Sequence, residues 1–313
     1  MHNQIEVVGL VGGGVIGASW AALFLAAGHE VDLFDPAAHA EAHARDYIER
    51  AWPALEQLGL IRPGASADRL RCVGDAASAV RRTQFVQESV PERMPIKHET
   101  YRLIEPALAP EAIVASSSSG LLMSEMLRGW NKPARFILGH PFNPPHLIPL
   151  VELLGTEHTE AGVLDAAAAF YERCGKVTIR VNKEVPAHVA NRLQAALWRE
   201  AVNLVVEGVA SVEDVDKAVT AGPGLRWSVM GPHMLFSLGS GGQGIDGFCE
   251  RYGDSFHTWW DSLGAPRLNA ETAAKLAAGI TVEERGRSFE SLAAERDAKL
   301  VAAMRALAAP DQH

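Results

Sequence analysis

The sequence predicts an α/β protein in which a doubly wound N-terminal domain with a mostly parallel sheet is followed by an all-helical C-terminal domain. Three observations lead there. Short apolar runs alternate with helical stretches through the first half of the 313 residues. A glycine cluster separates the first apolar run from the first helical stretch. From Pro186 onward the β rhythm stops and long helical patterns take over, so the domains are read as 1–184 and 185–313.

In chain order the strand candidates are residues 5–10, 31–34, 70–73, 85–88, 113–116, 136–140, 150–154 and 177–181. Each is a short apolar or β-branched run bounded by polar or turn residues, the mark of a strand buried on both faces. Helices are expected near 17–28, 37–58, 95–108 and 160–174. The second domain opens with a helix over 187–207 and closes with one over 283–309. Its glycine patches, Gly222-Pro223-Gly224 and residues 239–244, follow no strand and read as turns between helices.

The first glycine cluster carries chemistry. Gly12-Gly13-Gly14-Val15-Ile16-Gly17 is Gly-x-Gly-x-x-Gly between a strand and a helix. Gly12 permits the tight turn, Gly14 leaves bare backbone for a pyrophosphate, and Gly17 allows close helix–strand packing, with the helix N-terminus facing the phosphates. That is the Rossmann arrangement for a dinucleotide, with Val15 and Ile16 inside the motif. The second strand candidate runs into Asp35, a carboxylate placed for the adenosine ribose 2′-hydroxyl. It would repel a 2′-phosphate, so NAD is favoured over NADP. Residues 7–28 are nearly all apolar, but no Lys or Arg precedes them and spaced glycines interrupt them, which argues against a secretory signal.

Composition narrows the class. A hydrophobic content of 48% with 21% charged residues is that of a soluble globular protein, and a net charge of −9 argues against nucleic acid or an anionic membrane as partner. Cys72, Cys174 and Cys249 lie far apart, giving neither a disulfide framework nor a thiolate zinc site and fitting a reducing cytoplasm. His39-Ala40-Glu41-Ala42-His43 is not a metal motif: the histidines share a helix face from which Glu41 points away.

Catalytic candidates gather at strand ends. His140 ends one strand candidate and Glu152 lies on the next; an imidazole can take an alcohol proton when a carboxylate holds its other nitrogen. A glutamate among Leu150, Val151, Leu153 and Leu154 needs a partner, and His140 is the available one. The run Ser116-Ser117-Ser118-Ser119-Gly120 offers hydroxyls at another strand end, and Asn191 offers an amide on the first helix of the second domain. Each of these residues could equally cap an element or satisfy the core.

Taken together, residues 12–17, Glu88-Ser89-Val90-Pro91-Glu92 with Lys97, residues 116–120, His140-Pro141-Phe142-Asn143-Pro144, Val151-Glu152 and residues 185–192 resemble the L-3-hydroxyacyl-CoA dehydrogenase superfamily over essentially the whole chain. The resemblance implies NAD as cofactor, His140 as catalytic base, Glu152 as its orienting partner, and Ser119 and Asn191 as holders of the reacting oxygen. It puts Glu92, Lys97 and Ser117 on the NAD side and implies a homodimer through the helical domain. Where the family usually reads Asn-Thr-Ser-Ser, this chain reads Ser117-Ser118-Ser119-Gly120.

Within the superfamily, Gln87-Glu88-Ser89-Val90-Pro91-Glu92-Arg93, Leu197-Trp198-Arg199-Glu200 and Leu225-Arg226-Trp227 are most similar to the L-carnitine dehydrogenase branch. This implies oxidation of a small 3-hydroxy acid, with acyl-CoA and L-gulonate dehydrogenases, or an idle crystallin-like NAD-binding protein, as alternatives. Residues 37–60 hold no Lys and only Arg45 and Arg50 against four acids, a poor setting for the phosphates of coenzyme A. Phe142, Trp198, Trp227, Trp259 and Trp260 could enclose a quaternary ammonium, with Arg226 or Arg199 receiving a carboxylate, although tryptophans more often serve a core or interface.

Overall fold

The computed structural model describes residues 5–308, which form two compact units. The first contains the chain up to Arg192 together with Ala298–Arg305; the second contains Leu193–Asp297 and the residues from Ala306 on. The turn at 185–190 belongs to the first unit, because its amides are bound to the sheet, as described below.

In the first unit the described strands are β1 (Val7–Val11), β2 (Glu30–Phe34), β3 (Leu70–Cys72), β4 (Phe85–Glu88), β5 (Ile113–Ser116), β6 (Phe136–Pro141), β7 (Leu150–Leu154) and β8 (Val177–Arg180). They make one sheet of order β3-β2-β1-β4-β5-β6-β7-β8. All neighbours are parallel except β6 and β7, which are antiparallel. Winding runs outward from β1 in one direction and from β4 in the other, so the crevice where strand order reverses lies beyond the C-terminal ends of β1 and β4.

Helices α1 (Val15–Ala26), α2 (Ala40–Gln57), α3 (Ala76–Val80), α4 (Met94–Ile104), α5 (Met123–Met126) and α6 (Val163–Arg173) cover the sheet. Because side chains alternate along each strand, Val8, Leu10, Phe85, Ile113 and Ile137 enter one core while Val11, Val86, Val114, Phe136 and Leu138 enter another. The first core closes on α1, which is apolar all round and buried from Gly17 to Ala26. Trp20 stacks on Phe24 at 5.1 Å, and Phe85 meets Phe170 of α6 at 4.3 Å. The second core closes on Tyr101, Trp130 and Phe136. Glu88, Ser116, His140 and Glu152 fall in strand alternation on this second face, so four polar side chains are delivered to one side of the sheet.

The later helices are α7 (Ala190–Val206), α8 (Val212–Ala221), α9 (Pro223–Val229), α10 (Pro232–Leu238), α11 (Gly244–Ser262), α12 (Ala270–Glu284) and α13 (Phe289–Ala308). No strand occurs after β8 among the described residues; of the expected turns, Gly222 and residues 239–243 separate helices, while Pro223 and Gly224 open α9 and Gly244 opens α11. Two expectations need correction. The helix expected from 187 starts at Ala190, because Ala187 and His188 have φ of 64° and 51°. The single closing helix expected over 283–309 is interrupted, because Arg285 and Gly286 are left-handed at φ 51° and 73°, which ends α12 before α13 begins. Among the described residues no helix is long and apolar enough to cross a membrane.

Candidate active site

The glycine motif opens the crevice. Gly12 sits at φ 101°, and a Cβ there would lie 2.5 Å from the Ser89 carbonyl oxygen. A Cβ on Gly17 would lie 1.8 Å from the Gly12 oxygen, so helix and turn touch backbone to backbone. Gly14 faces open space. Beside it is a cavity of about 450 Å³ lined by Gly14, Val15, Ile16, Asp35, the turn at 89–92, Ser117 and Ser119. The first amides of α1 have no carbonyl upstream in the helix to receive them, which suits a pyrophosphate. Asp35 closes the rim: one carboxylate oxygen accepts from Gly13 N at 2.7 Å and the other from Ala37 N at 2.8 Å. A turn that excludes side chains, exposed helix amides and a carboxylate at the second strand end are the donor and acceptor set an NAD molecule requires.

Below the turn after β4 lies a buried hub. The Glu88 carboxylate, fully buried, accepts from Lys97 Nζ at 2.8 and 3.0 Å, Tyr101 OH at 2.9 Å, Ser116 Oγ at 2.7 Å and Val90 N at 2.8 Å. Lys97 is therefore 1% exposed, with its ammonium committed to Glu88 and 3.9 Å from Glu92. Glu92 turns to the serine loop. Its Oε1 accepts from Ser118 Oγ at 2.5 Å and from the amides of Ser119, Gly120 and Leu121 at 3.0, 2.8 and 3.1 Å. Burial pushes this carboxyl up, but these bonds and Lys97 outweigh it, and the net pKa is lowered. Ser117 Oγ accepts from Gln87 Nε2 at 2.8 Å and from Trp20 Nε1 at 3.3 Å.

His140 and Glu152 are register partners across β6 and β7. His140 Nδ1 lies 2.7 Å from Glu152 Oε2, and His140 Nε2 lies 3.1 Å from Ser119 Oγ. With Nδ1–H donating to the carboxylate, Nε2 is bare and accepts from the serine hydroxyl. The other Glu152 oxygen accepts from Val189 N and Ala190 N, each at 2.9 Å. Burial raises the Glu152 pKa, yet the bonds from His140 and the two amides prevail and the carboxyl is held below 4.5. An imidazole gripped in this way can take a proton at Nε2 and have the resulting charge balanced at Nδ1.

The amides that hold Glu152 depend on an unusual turn. A left-handed non-glycine residue costs about 1–2 kcal/mol, and two stand in succession at Ala187 and His188. His188 is 1% exposed and reaches across with Nε2 to the Ser118 carbonyl at 3.1 Å. Its ring centroid is 5.1 Å from that of His140. No sequence signal marked His188, because nothing in Pro186-Ala187-His188 announces a left-handed turn. Glu88 and Ser118 were likewise not singled out, since their roles arise from what the sheet places beside them.

The remaining candidates fall in both units. Asn191 is in the first turn of α7, half-buried, within the first unit. In the second unit Trp198 on α7 is 52% exposed and Trp227 on α9 is 38% exposed, with Arg226 exposed beside it. In the first unit α2 carries its arginines as helix pairs, Arg45 with Glu41 at 2.8 Å and Arg50 with Asp46 at 2.7 Å. A cavity of about 580 Å³ against α2 is lined by Glu49, Glu56 and Asp68 together with Arg45 and Trp52.

Comparison with known proteins agrees with this geometry. A family model described as the NAD binding domain of 3-hydroxyacyl-CoA dehydrogenase matches residues 7–185, and one described as its C-terminal domain matches residues 188–277. The L-carnitine dehydrogenase of Streptomyces coelicolor is 46% identical over 304 residues, 97% of this chain and 95% of that relative. The L-carnitine dehydrogenase of Pseudomonas putida is 41% identical over 305 residues, 97% of this chain and 95% of that one. Among solved structures, 5-formyl-3-hydroxy-2-methylpyridine 4-carboxylic acid 5-dehydrogenase, an NAD+ dependent dismutase, matches with TM-score 0.82 at 30% identity, over 97% of this chain and 99% of that one. With both halves matched and a dinucleotide crevice in place, the chain belongs to the 3-hydroxyacyl-CoA dehydrogenase family and is an NAD-dependent dehydrogenase acting on a CH–OH group.

Proposed function

We propose that the protein oxidises L-carnitine to 3-dehydrocarnitine, with His140 as base. The observation that carries the chemistry is the two-sided hold on His140, Glu152 at 2.7 Å and Ser119 at 3.1 Å. The substrate rests on the near full-length similarity to proteins named L-carnitine dehydrogenase. The α2 surface adds support, because its two arginines are already paired and its cavity is rimmed by carboxylates, so the phosphates of coenzyme A would meet repulsion there.

Ser119 and Asn191 hold the 3-hydroxyl oxygen, and His140 Nε2 takes its proton as the C–O bond becomes a carbonyl. Glu152 balances the imidazolium that forms. Bound NAD+ is the acceptor of the hydride that leaves carbon 3. Gly12, Gly14, Val15, Ile16, Gly17 and Asp35 would bind the dinucleotide together with Ser117 and Glu92, which line the same cavity, and Lys97 would act from beneath through Glu88 and Glu92. In the helical domain Trp227, with Trp198, receives the trimethylammonium and Arg226 the carboxylate.

The second unit leaves Trp259, Trp260 and Phe289 between 55% and 78% exposed while burying few apolar side chains, which supports a homodimer formed through it. The three cysteines are free, which supports a reducing, cytoplasmic location. NAD+ reduction measured with L-carnitine, L-3-hydroxybutyryl-CoA and L-gulonate tests the reading. L-Carnitine should give by far the highest kcat/KM, and a higher value with either competitor overturns the substrate.

A further inference from the structure

His188 occupies a position that local energetics oppose. It is the second of two successive left-handed non-glycine residues, it is 1% exposed, and its Nδ1 has no hydrogen-bond partner among the described residues. An apolar residue would avoid that buried orphan, and a glycine would relieve the backbone. Such a residue persists only where the surroundings hold it in place, and those surroundings are the catalytic candidates themselves.

The hydrogen bond of its ring is the informative one. Nε2–H donates to the Ser118 carbonyl at 3.1 Å, while the Ser118 hydroxyl donates to Glu92 at 2.5 Å. Ser118 is thus clamped from two sides, and the next residue, Ser119, is aimed at His140 Nε2. The residues after His188 supply the two amides on Glu152 Oε1. One turn therefore governs both partners of His140, Glu152 on the Nδ1 side and Ser119 on the Nε2 side. We propose that His188 is a positioning residue of the dehydrogenase reaction, setting the Ser119 hydroxyl against His140 through the Ser118 carbonyl.

Burial lowers the His188 pKa below 6.5, although the Ser118 carbonyl and the carboxylates of Glu152 and Glu92 act in the opposite direction and His140 acts with burial. The ring is neutral at physiological pH, so no second positive charge confronts the imidazolium forming at His140 5.1 Å away. A Phe at 188 would preserve the ring packing and lose the donor. A Gln places an amide nitrogen where Nε2 lies, and an Asn falls short of it.

This inference rests on the assignment of His140 and Ser119 to the reacting oxygen, and the test separates the two. His188→Phe, His188→Gln, His188→Asn, Ser119→Ala and the double variant His188→Phe/Ser119→Ala are compared for kcat with L-carnitine at saturating NAD+, for NAD+ dissociation constant by fluorescence, and for melting temperature. His188→Phe and His188→Asn should each lower kcat about tenfold with NAD+ affinity within about twofold, and His188→Gln should recover most of the loss. The double variant should be no slower than Ser119→Ala alone, because both changes remove one interaction. Losses that multiply in the double variant, or unchanged kcat in His188→Phe beside a clear loss in Ser119→Ala, overturn the positioning role alone. Unchanged kcat in Ser119→Ala overturns the site assignment and the inference with it. If His188→Phe does not fold, equal kcat in the Gln and Asn variants overturns the role, and loss in Asn alone upholds it.

Discussion

His140 and Glu152 face each other across the antiparallel pair β6 and β7, Nδ1 and Oε2 2.7 Å apart, although eleven residues and a loop separate them in the chain. The carboxylate is fixed from behind by two amides at the start of α7. The imidazole it holds presents the other nitrogen to Ser119.

Removing the proposed base gives the first expected outcome. His140→Ala should lower turnover by about 10²–10⁴-fold while the NAD+ dissociation constant changes little. Glu152→Gln should also be slow, since an amide cannot balance an imidazolium. Because the Glu152 carboxyl is depressed below 4.5, its contribution to stability is complete above that value and is lost as pH falls through the lower folded-state value. Stopped-flow and steady-state NADH absorbance check the rates. Near wild-type turnover in His140→Ala would remove the assignment.

Asp35 leads to a prediction about cofactor choice. Its two oxygens already bind Gly13 N and Ala37 N, which fixes a negative charge at the rim of the crevice, where the ribose is proposed to lie. NADP+ should therefore be used far less efficiently than NAD+, and Asp35→Ser should narrow the gap in kcat/KM by about tenfold or more. Comparable efficiency of the wild type with both cofactors would contradict the role of Asp35.

Lys176 predicts a pH effect on stability. It is buried with Nζ donating to the carbonyls of Pro145 and Ile148 and lying 5.1 Å from the Trp20 ring, so it anchors the loop that follows β6. Burial pushes its pKa down from 10.5 to about 7. Below about 7 both folded and unfolded chains carry the charge and the folded state bears the full desolvation cost; between 7 and 10.5 the folded chain sheds the proton first. Wild type should therefore gain stability relative to Lys176→Met as pH rises through that interval. Melting curves of both proteins at either end check this, and a pH-independent difference would show that the lysine keeps its ordinary pKa.

For the assembly, multi-angle light scattering should give about twice the 33.6 kDa of one chain. Replacing Trp259 and Trp260, 55% and 60% exposed, by Ser should shift the population toward monomer. A fully active wild-type monomer in dilute solution would exclude the dimer.

Substrate recognition gives the last expected outcome. If Trp227 receives the trimethylammonium and Arg226 the carboxylate as proposed, Trp227→Leu removes a cation–π contact worth on the order of 0.5–2 kcal/mol and Arg226→Met removes the carboxylate partner. Both should raise the KM for L-carnitine more than the KM for NAD+. Unchanged carnitine kinetics in both variants would move the substrate pocket elsewhere and leave the chemistry at His140 standing.

Much of this protein was legible in its residues because buried parallel strands announce themselves as short apolar runs. All eight strand positions stand out as such runs, the edge strands β3 and β8 although they are only partly buried, and Glu152 pairs with His140 because a carboxylate among leucines and valines requires a partner. What escaped notice has a common cause. Left-handed Ala187 and His188 carry no compositional mark, so the sequence pattern starts α7 too early and gives no sign of His188. Gly286 did offer a mark, since glycine is the usual residue just past a helix end, and it would have divided the closing helix correctly. The resemblance puts Lys97 on the NAD side, whereas its burial on Glu88 follows from Tyr101, Ser116 and Val90 converging on the same carboxylate, a convergence that only the sheet order creates.

The reversal of β7 decides which parts of this chain can change length. Side-chain facing is set by ladder register, so residues added among 143–148 would sacrifice the Lys176 anchors while leaving His140 opposite Glu152. A single residue deleted within β7 would do the opposite: the loop could survive, but Val151 or Leu153 would be presented to the imidazole and the carboxylate turned to the other side of the sheet. Tolerance to insertion and intolerance to deletion thus lie within a few residues of each other, and libraries that vary this segment should yield active enzymes with longer loops and none with a shortened strand.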